Sequence, residues 1–241
     1  MPIASNPMQP FLDAIAPVIA DEMGWVTPSL PRFVQQTITQ RYSKDRPLEL
    51  VSDVAGTGTA YMPLPVAPVG QFGVFDPLFS EVKKIEYPIG QIPDEDVRSE
   101  DWELYRSPTG YQLVLSAYVP QVGQSARITW TARHAPDATT VDPGDFYAVC
   151  DYAASLALEA MAARASQIGD STMGADTVNY RSKAQEFTSL AAKIRKRYYN
   201  HMGVDEAPSG VESKAAISVG NLRNIMGTAG VDRLVHGKDT R

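Results

Sequence analysis

The chain has 241 residues, of which 44% are hydrophobic and 21% charged, and its formal net charge is −6. This size and composition are ordinary for a globular protein of one or two domains whose core needs neither disulfides nor metals. The acidic balance argues against general nucleic-acid binding, the single cysteine excludes an intrachain disulfide, and neither a signal peptide nor an apolar run long enough for a membrane span is recognisable.

Two helices are predicted at the start of the chain, within residues 1–47. Apolar residues recur at helical spacing from Pro10 to Met23, although Pro17 should kink or split this helix. Thr27-Pro28-Ser29 offers a hydroxyl cap and a proline at the first turn, and a second apolar stripe follows it. Arg46-Pro47 should end the second helix, because the residue before a proline avoids helical geometry.

A small antiparallel β-domain is predicted for residues 48–137, inserted into the helical frame. Residues of β-branched and aromatic type alternate there with polar ones between Pro- and Gly-rich turns. The predicted strands are Leu48–Val54, Thr59–Met62, Val82–Tyr87, Trp102–Arg106, Tyr111–Ala117 and Ala126–Thr131. Ser107-Pro108-Thr109-Gly110 should be a hairpin connection. From Asp45 to Ala132 there are twelve acids and six bases, so this region is acidic.

A third helix is predicted to begin at Asp142-Pro143, where the aspartate can cap and the proline fits the first helical position. Two apolar stripes run along it side by side, which is typical of a central helix that contacts several neighbours. The first stripe contains Phe146, Val149, Ala153, Leu156, Ala160 and Ala163. The second contains Tyr147, Cys150, Ala154, Leu158 and Met161, and we predict that it packs against another subunit.

A fourth helix is predicted from about Asp176-Thr177 to Met202, so that residues 138–203 form a helical hairpin completing the bundle. Its apolar seam has heptad spacing and is expected to be mainly core of the same chain. The seam contains Tyr180, Ala184, Phe187, Ala191, Ile194 and Tyr198. From Val178 to Met202 there are six bases and one acid, so this helix is strongly basic.

The bases near the end of this helix have three open interpretations. They are Lys193, Arg195, Lys196 and Arg197. The first interpretation is a solvated helix end, where cations suit the helix dipole. The second is contact with an acidic neighbouring subunit, and the third is contact with the phosphates of DNA passing through a channel.

Residues 204–241 have many small residues and an equal number of acids and bases. Periodic apolar faces are short there, the longest running from Val219 to Met226. We therefore expect an extended arm that becomes ordered only against a partner.

Signatures of enzymes are weak in this sequence. Gly56-Thr57-Gly58 is followed by a predicted strand rather than by a helix, which favours a hairpin turn over a phosphate loop. The acids between residues 94 and 101 lack the spacing of a calcium loop, and the three histidines lack the spacing of zinc ligands. Cys150 lies in an apolar stripe and is predicted to be a packed core thiol. No catalytic residue, cofactor or metal site is predicted.

The polar turn of the hairpin, with the run that follows it, resembles the head–tail connector (adaptor) proteins of tailed bacteriophages. That turn reads Gly-Asp-Ser-Thr-Met-Gly-Ala-Asp-Thr-Val-Asn-Tyr-Arg-Ser-Lys from Gly169 to Lys183. Further patterns of this kind are Val51–Thr59, Ile85–Gly90, Ile128–Ala132 and Arg233–Gly237. The resemblance covers roughly Leu48 to Gly203.

This resemblance implies an α+β fold: a helical bundle of two N-terminal helices and the hairpin, with the β-domain inserted and the arm extended. It implies a structural virion protein, made in the host cytoplasm and located at the neck, that forms a ring of twelve copies beneath the portal. The implied partners are other copies of itself, the portal protein, the downstream neck or tail-terminator protein, and packaged DNA that passes without sequence-specific binding. No membrane or cofactor is implied.

The arm would dock on the portal in this interpretation. The residues assigned to that contact are Asn221, Leu222, Arg223, Arg233, Leu234, Val235 and His236. Two alternatives remain: another neck or tail-completion protein, and a small enzyme or ligand-binding domain. The second alternative would have its site in the β-domain around Tyr87, Trp102 and Tyr111.

Overall fold

The computed structural model of the protein describes residues 6–92, 95–167 and 180–204, the last range without the side chains of residues 180–182. Within these residues the chain is a mixed α+β protein with two small antiparallel sheets, which confirms the predicted fold class at that level. All of these described residues belong to one compact unit, which takes in the described parts of the segments predicted for 1–47, 48–137 and 138–203. The predicted arm and most of the hairpin turn lie outside the described residues.

The first helix, α1, covers Gln9–Ile19 and ends four residues before the predicted end. Ala20 adopts a left-handed φ of 44°, and its N–H donates to the carbonyl of Ala16, which closes the helix at this point. Pro17 lies inside the helix, close to its end. The face that α1 buries consists of Phe11, Ile15 and Ile19.

The second predicted helix changes its helical type along its length. After a 3₁₀ turn at Thr27–Ser29, α2 covers Leu30–Gln36, a π-helical segment covers Thr37–Tyr42, and α3 covers Ser43–Asp45. The helical run ends before Pro47 as predicted, but the π-helical segment was not predicted. The hydroxyl of Ser43 donates to the carbonyl of Ile38 at 2.7 Å and accepts from the N–H of His134 at 2.9 Å. This hydroxyl therefore ties the π-helical segment to the chain that leaves the last strand.

All six predicted strands are present. They are β1 Leu48–Ala55, β2 Tyr61–Met62, β3 Val82–Glu86, β4 Trp102–Ser107, β5 Gly110–Leu115 and β6 Ser125–Ala132. One antiparallel sheet has the order β1-β6-β3, and the other has the order β2-β5-β4. The hairpin between β4 and β5 is confirmed, because Ser107 pairs with Gly110 and the Ser107 hydroxyl donates to the Gly110 carbonyl at 2.7 Å.

The two sheets share one apolar core, to which each sheet contributes the alternate residues of its inner face. Trp130 on β6 is fully buried in it, and its indole N–H donates to the hydroxyl of Ser52 on β1 at 2.9 Å. The Ser52 hydroxyl in turn donates to the carbonyl of Val66 at 2.7 Å. This link fixes the long connection between β2 and β3 against the β1-β6-β3 sheet.

Two long helices follow the strands: α4 covers Phe146–Gln167 and α5 covers Tyr180–Met202. The predicted cap is confirmed, because the Asp142 carboxylate accepts from the N–H of Gly144 at 2.7 Å before a 3₁₀ turn leads into α4. α4 packs against α1, α2 and α5. Their buried apolar side chains form a core separate from that of the sheets.

Candidate functional site

Two of the four predicted basic residues on α5 form ion pairs within the chain. Arg195 pairs with Glu159 on α4 and also approaches the Ser155 hydroxyl, and Arg197 pairs with Asp151 at 2.6 Å. Burial raises the pKa of Asp151 even though Arg197 favours its charged form. These arginines therefore join α5 to α4, an arrangement that the three interpretations from the sequence did not include.

The other two, Lys193 and Lys196, lie on the face of α5 that points away from α4. The buried residues Ala191, Ile194 and Tyr198 mark the inner face, and helical geometry places both lysines on the opposite side. Both lysines are exposed, together with Ser189 and Asn200 on the same face. We call Ser189, Lys193, Lys196 and Asn200 the outer stripe of α5.

The second stripe of α4 packs mainly inside the chain. Cys150, Ala154, Leu158 and Met161 are buried in the core formed by the helices, so they have no free surface to offer another subunit. This corrects the subunit-packing prediction for these four residues. Only Tyr147 of that stripe is exposed, at 76%.

Cys150 is the packed core thiol that the sequence predicted. Burial, helped slightly by the nearby Asp151 charge, raises the pKa of this thiol to about 12. The thiol is therefore protonated near neutral pH, and a protonated buried thiol is a poor nucleophile.

The helices before β1 together with α4 and α5 are called the helical region here. A buried carboxylate, Asp145, connects the start of α4 with three other parts of this region. Its side chain is only 3% exposed. Its Oδ2 accepts from the Tyr42 hydroxyl at 2.8 Å and from the Arg46 guanidinium at 2.7 Å, and its Oδ1 lies 2.9 Å from Nε2 of His201. Burial opposes the charged form of Asp145, but these contacts outweigh it and hold its pKa below the ordinary range.

His134, just after β6, is buried beside this group. Its Nε2 lies 2.8 Å from the Arg46 carbonyl, and its Nδ1 lies 2.9 Å from the carbonyl and 3.0 Å from the hydroxyl of Thr140. Burial lowers the pKa of this imidazole, and its hydrogen bonds oppose that shift only in part. The imidazole thus joins the end of the helical run to the chain between β6 and α4, which is a structural role.

The outer face of the β2-β5-β4 sheet carries an exposed aromatic pair. Tyr61 and Tyr105 are 47% and 42% exposed, and their ring centroids are 5.9 Å apart in an edge-on arrangement. Strand register places Val114 between Tyr61 and Glu103, with Gln112 beside Tyr105. We call these five residues the β4 face. Glu103 is exposed and has no ion-pair partner among the residues that the structure describes.

The connection between β2 and β3, residues 63–81, has apolar side chains on both of its sides, and we call it the strap. Phe75 faces inward, with its ring centroid 5.6 Å from that of Trp130. At Gly73 the strap comes so close to the sheet that a Cβ atom would overlap the Leu50 side chain. The outward side chains with large exposure are Val66, Val69, Val74 and Leu78.

Two of the aromatic residues of the alternative ligand site, Trp102 and Tyr111, are not brought together. Trp102 pairs with Leu115 at one end of the β4-β5 hairpin, and Tyr111 pairs with Arg106 near the other, which separates them by roughly 13 Å along the strands. The Tyr87 hydroxyl donates to the Gln124 side chain at 2.6 Å. Each of these aromatic residues has a local packing role.

Gly56-Thr57-Gly58 is followed by a strand, as predicted, but it is not a hairpin turn. β1 and β2 belong to different sheets, so this loop crosses between them. The N–H of Gly56 donates to the Gln124 carbonyl and that of Gly58 to the Pro120 carbonyl. A Cβ atom on Gly56 would lie 2.5 Å from the Pro120 oxygen, so glycine is needed for this close approach.

The described residues contain no group of three or more His, Cys, Asp or Glu side chains that is suited to hold a metal ion. In the same part of the chain, no helix has the length and apolar character needed to cross a membrane. The sequence matches no protein-family model and no curated protein. The portal-docking residues predicted between Asn221 and His236 lie outside the described residues.

Proposed function

We propose that this protein is a head–tail connector of a tailed bacteriophage, a structural ring subunit that binds the portal above and a neck or tail protein below. In this proposal the helices form a bundle completed by the α4–α5 hairpin. The strands β1 to β6 with their connections, which we call the β-region, are inserted into it. Twelve copies form the ring, and packaged DNA passes through it without being read. The proposal rests on the resemblance in sequence and on the character of the surface.

The observation that carries the proposal is the set of apolar side chains that the β-region turns outward. Val69 and Leu78 on the strap are almost fully exposed, and Tyr61 and Tyr105 add an aromatic pair on the β4 face. Several exposed apolar side chains on one segment, such as the four on the strap, mark a contact surface more often than single ones do, and tyrosine is enriched at protein interfaces. A surface of this kind suits protein partners.

The helical region supports the same class of function for a different reason. Its charged groups at Asp145, Arg195 and Arg197 are engaged in contacts between helices. The Cys150 thiol is buried, and the Asp145 carboxylate is occupied by hydrogen-bond donors. These four groups stabilise the packing of the helices, and none of them is available to react with a substrate.

Electron microscopy of the purified protein mixed with portal rings of the same phage tests the proposal. We expect a second ring on the lower face of the portal. A protein that leaves the portal bare at high concentration, while the portal still binds a different neck protein there, would overturn the proposal. A ring seen only at the tail end of the neck would assign the chain to the tail-completion class instead.

Two variants connect this experiment to the surface. Val69→Asp combined with Leu78→Asp should abolish binding to the portal or to the next neck protein, because both charges would lie in the apolar contact. Met23→Asp, at an exposed position in the helical region, is the matched control and should bind normally. Normal binding of both partners by the strap variant would remove the main support for the proposal.

The arm is tested separately by truncation after Gly220. Loss of portal binding, with assembly between copies retained, is the result expected if residues Asn221–Arg241 dock on the portal. Unchanged portal binding would show that the portal contact lies elsewhere in the chain.

A further inference from the structure

The β4 face and the outer stripe of α5 are complementary in charge and lie on different parts of the chain. Of the five acids among residues 95–103, Asp96 pairs with Lys84 and Glu100 pairs with Arg98. Glu103 on the β4 face is exposed, whereas Asp53 and Glu81, on or next to the other sheet, have basic partners. The outer stripe of α5 presents two ammonium groups, those of Lys193 and Lys196, and no acid.

The two surfaces also match in size and chemistry. From Ser189 to Asn200 the outer stripe of α5 extends about 17 Å, and the three strands of the β4 face span about 10 Å across. Lysine ammonium groups pair with carboxylates and also bind the faces of tyrosine rings. A helix laid across the β4 face would thus offer Glu103 an ionic partner and the Tyr61–Tyr105 pair a cation.

We propose that the outer stripe of α5 in one copy docks on the β4 face of the next copy. A contact between two different surfaces of identical chains is heterologous, and it closes into a ring when the rotation fits. This inference rests on the proposed function, because it assigns one subunit contact within the proposed ring. It also commits Lys193 and Lys196 to a protein partner rather than to DNA phosphates.

The contact is small. Its footprint of about 17 Å by about 10 Å is well below the area of about 800 Å² that each partner buries in a standard protein interface. One such contact is therefore weak, and copies should associate appreciably only at high concentration or when a template such as the portal holds them side by side. A protein that is monomeric when dilute is compatible with this contact, so the test must detect weak association directly.

Cross-linking between variants with one introduced thiol each provides that test. Asn200→Cys protein, with the thiol on the outer stripe of α5, is mixed at high concentration with Gln112→Cys protein, with the thiol on the β4 face, and treated with a short bismaleimide. Lys193, Lys196 and Glu103 all stay in place in both variants. The native Cys150 is buried and reacts poorly, so the introduced thiols dominate. We expect covalent heterodimer at least about fivefold above the control mixtures, in proportion to the local concentration that docking creates.

The controls use exposed positions outside the two proposed surfaces. Glu49→Cys places the thiol on an exposed acidic position of the other sheet, and Lys183→Cys places it on an exposed lysine position earlier in α5. Heterodimer yields equal to those of these control pairs would overturn the proposal. So would a Lys193→Glu/Lys196→Glu variant that associates like the wild type but no longer binds a short DNA duplex, since that result would assign both lysines to phosphates.

Charge exchange gives a second, independent readout. In sedimentation at high concentration, Glu103→Lys or Lys196→Glu alone should weaken self-association about fivefold, a change typical of one exposed ion pair. The double variant Glu103→Lys/Lys196→Glu should recover it, because the signs are complementary again. Failure of the double variant to recover would contradict the proposal even if both single variants associate poorly.

The two proposals fail in distinguishable ways. If rings form on the portal but the cross-link between positions 112 and 200 does not exceed its controls, only the assigned contact is wrong. If the cross-link forms and the protein ignores the portal, the contact between copies stands and the connector function is wrong.

Discussion

The helical region and the β-region of this protein use their side chains in opposite ways. In the helical region, buried charges such as Asp145 are paired, and α4 buries its second apolar stripe apart from Tyr147. In the β-region the core is apolar, while the strap and the β4 face leave apolar and aromatic side chains uncovered. The difference indicates that the helical region serves as a scaffold and that the β-region carries a surface for recognition. Variants in each region test this division.

Replacing Asp145 should have the largest effect on stability. Asp145→Ala removes the acceptor for Tyr42, Arg46 and His201 together, and we expect a loss of about 3 kcal/mol in the free energy of unfolding. Urea denaturation measures it. Asp142→Ala, which removes an exposed cap at the same helix end, is the control and should cost about 1 kcal/mol. Similar costs for the two variants would show that Asp145 is an ordinary cap rather than the centre of the scaffold.

Removing the Ser52 hydroxyl should loosen the strap. Ser52→Ala leaves the buried Trp130 N–H and the Val66 carbonyl without their partner, and we expect a loss of about 2 kcal/mol. Hydrogen exchange should then become faster in residues 63–81 and stay unchanged in the helices. The control is the exposed Ser116→Ala, which should change neither quantity. If exchange rose equally in the helices, the two regions would not be separable in stability.

His134 should make stability fall as the solution becomes acidic. Its pKa in the folded protein lies below the unfolded value of about 6.5, so the unfolded chain takes up a proton more readily. The contribution of His134 to the free energy of unfolding is therefore complete above about pH 6.5 and is lost as the pH falls through the pKa of the folded protein. Asp145 acts in the same direction but only below about pH 4, because its folded pKa is also depressed.

Urea unfolding of the wild type and of His134→Gln, measured at intervals from roughly neutral pH down past the ordinary histidine pKa of about 6.5, checks this dependence. The wild type should lose stability over that interval, and the variant should lose less even if it is weaker throughout. Parallel pH profiles of the two proteins would mean that another group carries the dependence.

The smallest effect is expected at the ion pair between Arg197 and Asp151. Arg197 is 60% exposed, so solvent screens the pair and Arg197→Ala should cost at most about 1 kcal/mol. Lys193→Ala, on the outer stripe of α5, should leave unfolding unchanged. Equal losses in the free energy of unfolding for the two variants would show that Arg197 and Lys193 contribute equally to stability. α5 would then not be divided into a face that stabilises the fold and a face that is free for recognition.

The parts of the fold that could be predicted depend on local signals. The six strands follow from alternation and turn residues, the Asp142 cap from its position before Pro143, and the burial of Cys150 from helical spacing. The end of α1 was misjudged because the apolar residues continue past Ala20, where the backbone turns left-handed. Nothing in the sequence of the π-helical segment distinguishes it from an α-helix.

The features that could not be predicted join distant parts of the chain. Asp145 meets Tyr42 and Arg46 from far away in the sequence, and nothing in its local sequence identifies those partners. Gly56 was assigned to a hairpin because its neighbours in sequence are strands, whereas the pairing places those strands in different sheets. The partners of Arg195 and Arg197 on α4 follow only from the packing of the two helices.

The π-helical segment between α2 and α3 has a consequence for how insertions are tolerated. One residue added to an α-helix rotates everything after it by about 100°, whereas a π-helical turn absorbs the extra residue locally. The helix can therefore keep Val34 and Ile38 in the core and still aim the Tyr42 hydroxyl at Asp145. The π-helical segment Thr37–Tyr42 therefore accommodates one extra residue without rotating the rest of the helix. Deleting the exposed Gln40 should convert it into a regular α-helix, with the residues before and after it still facing the same neighbours.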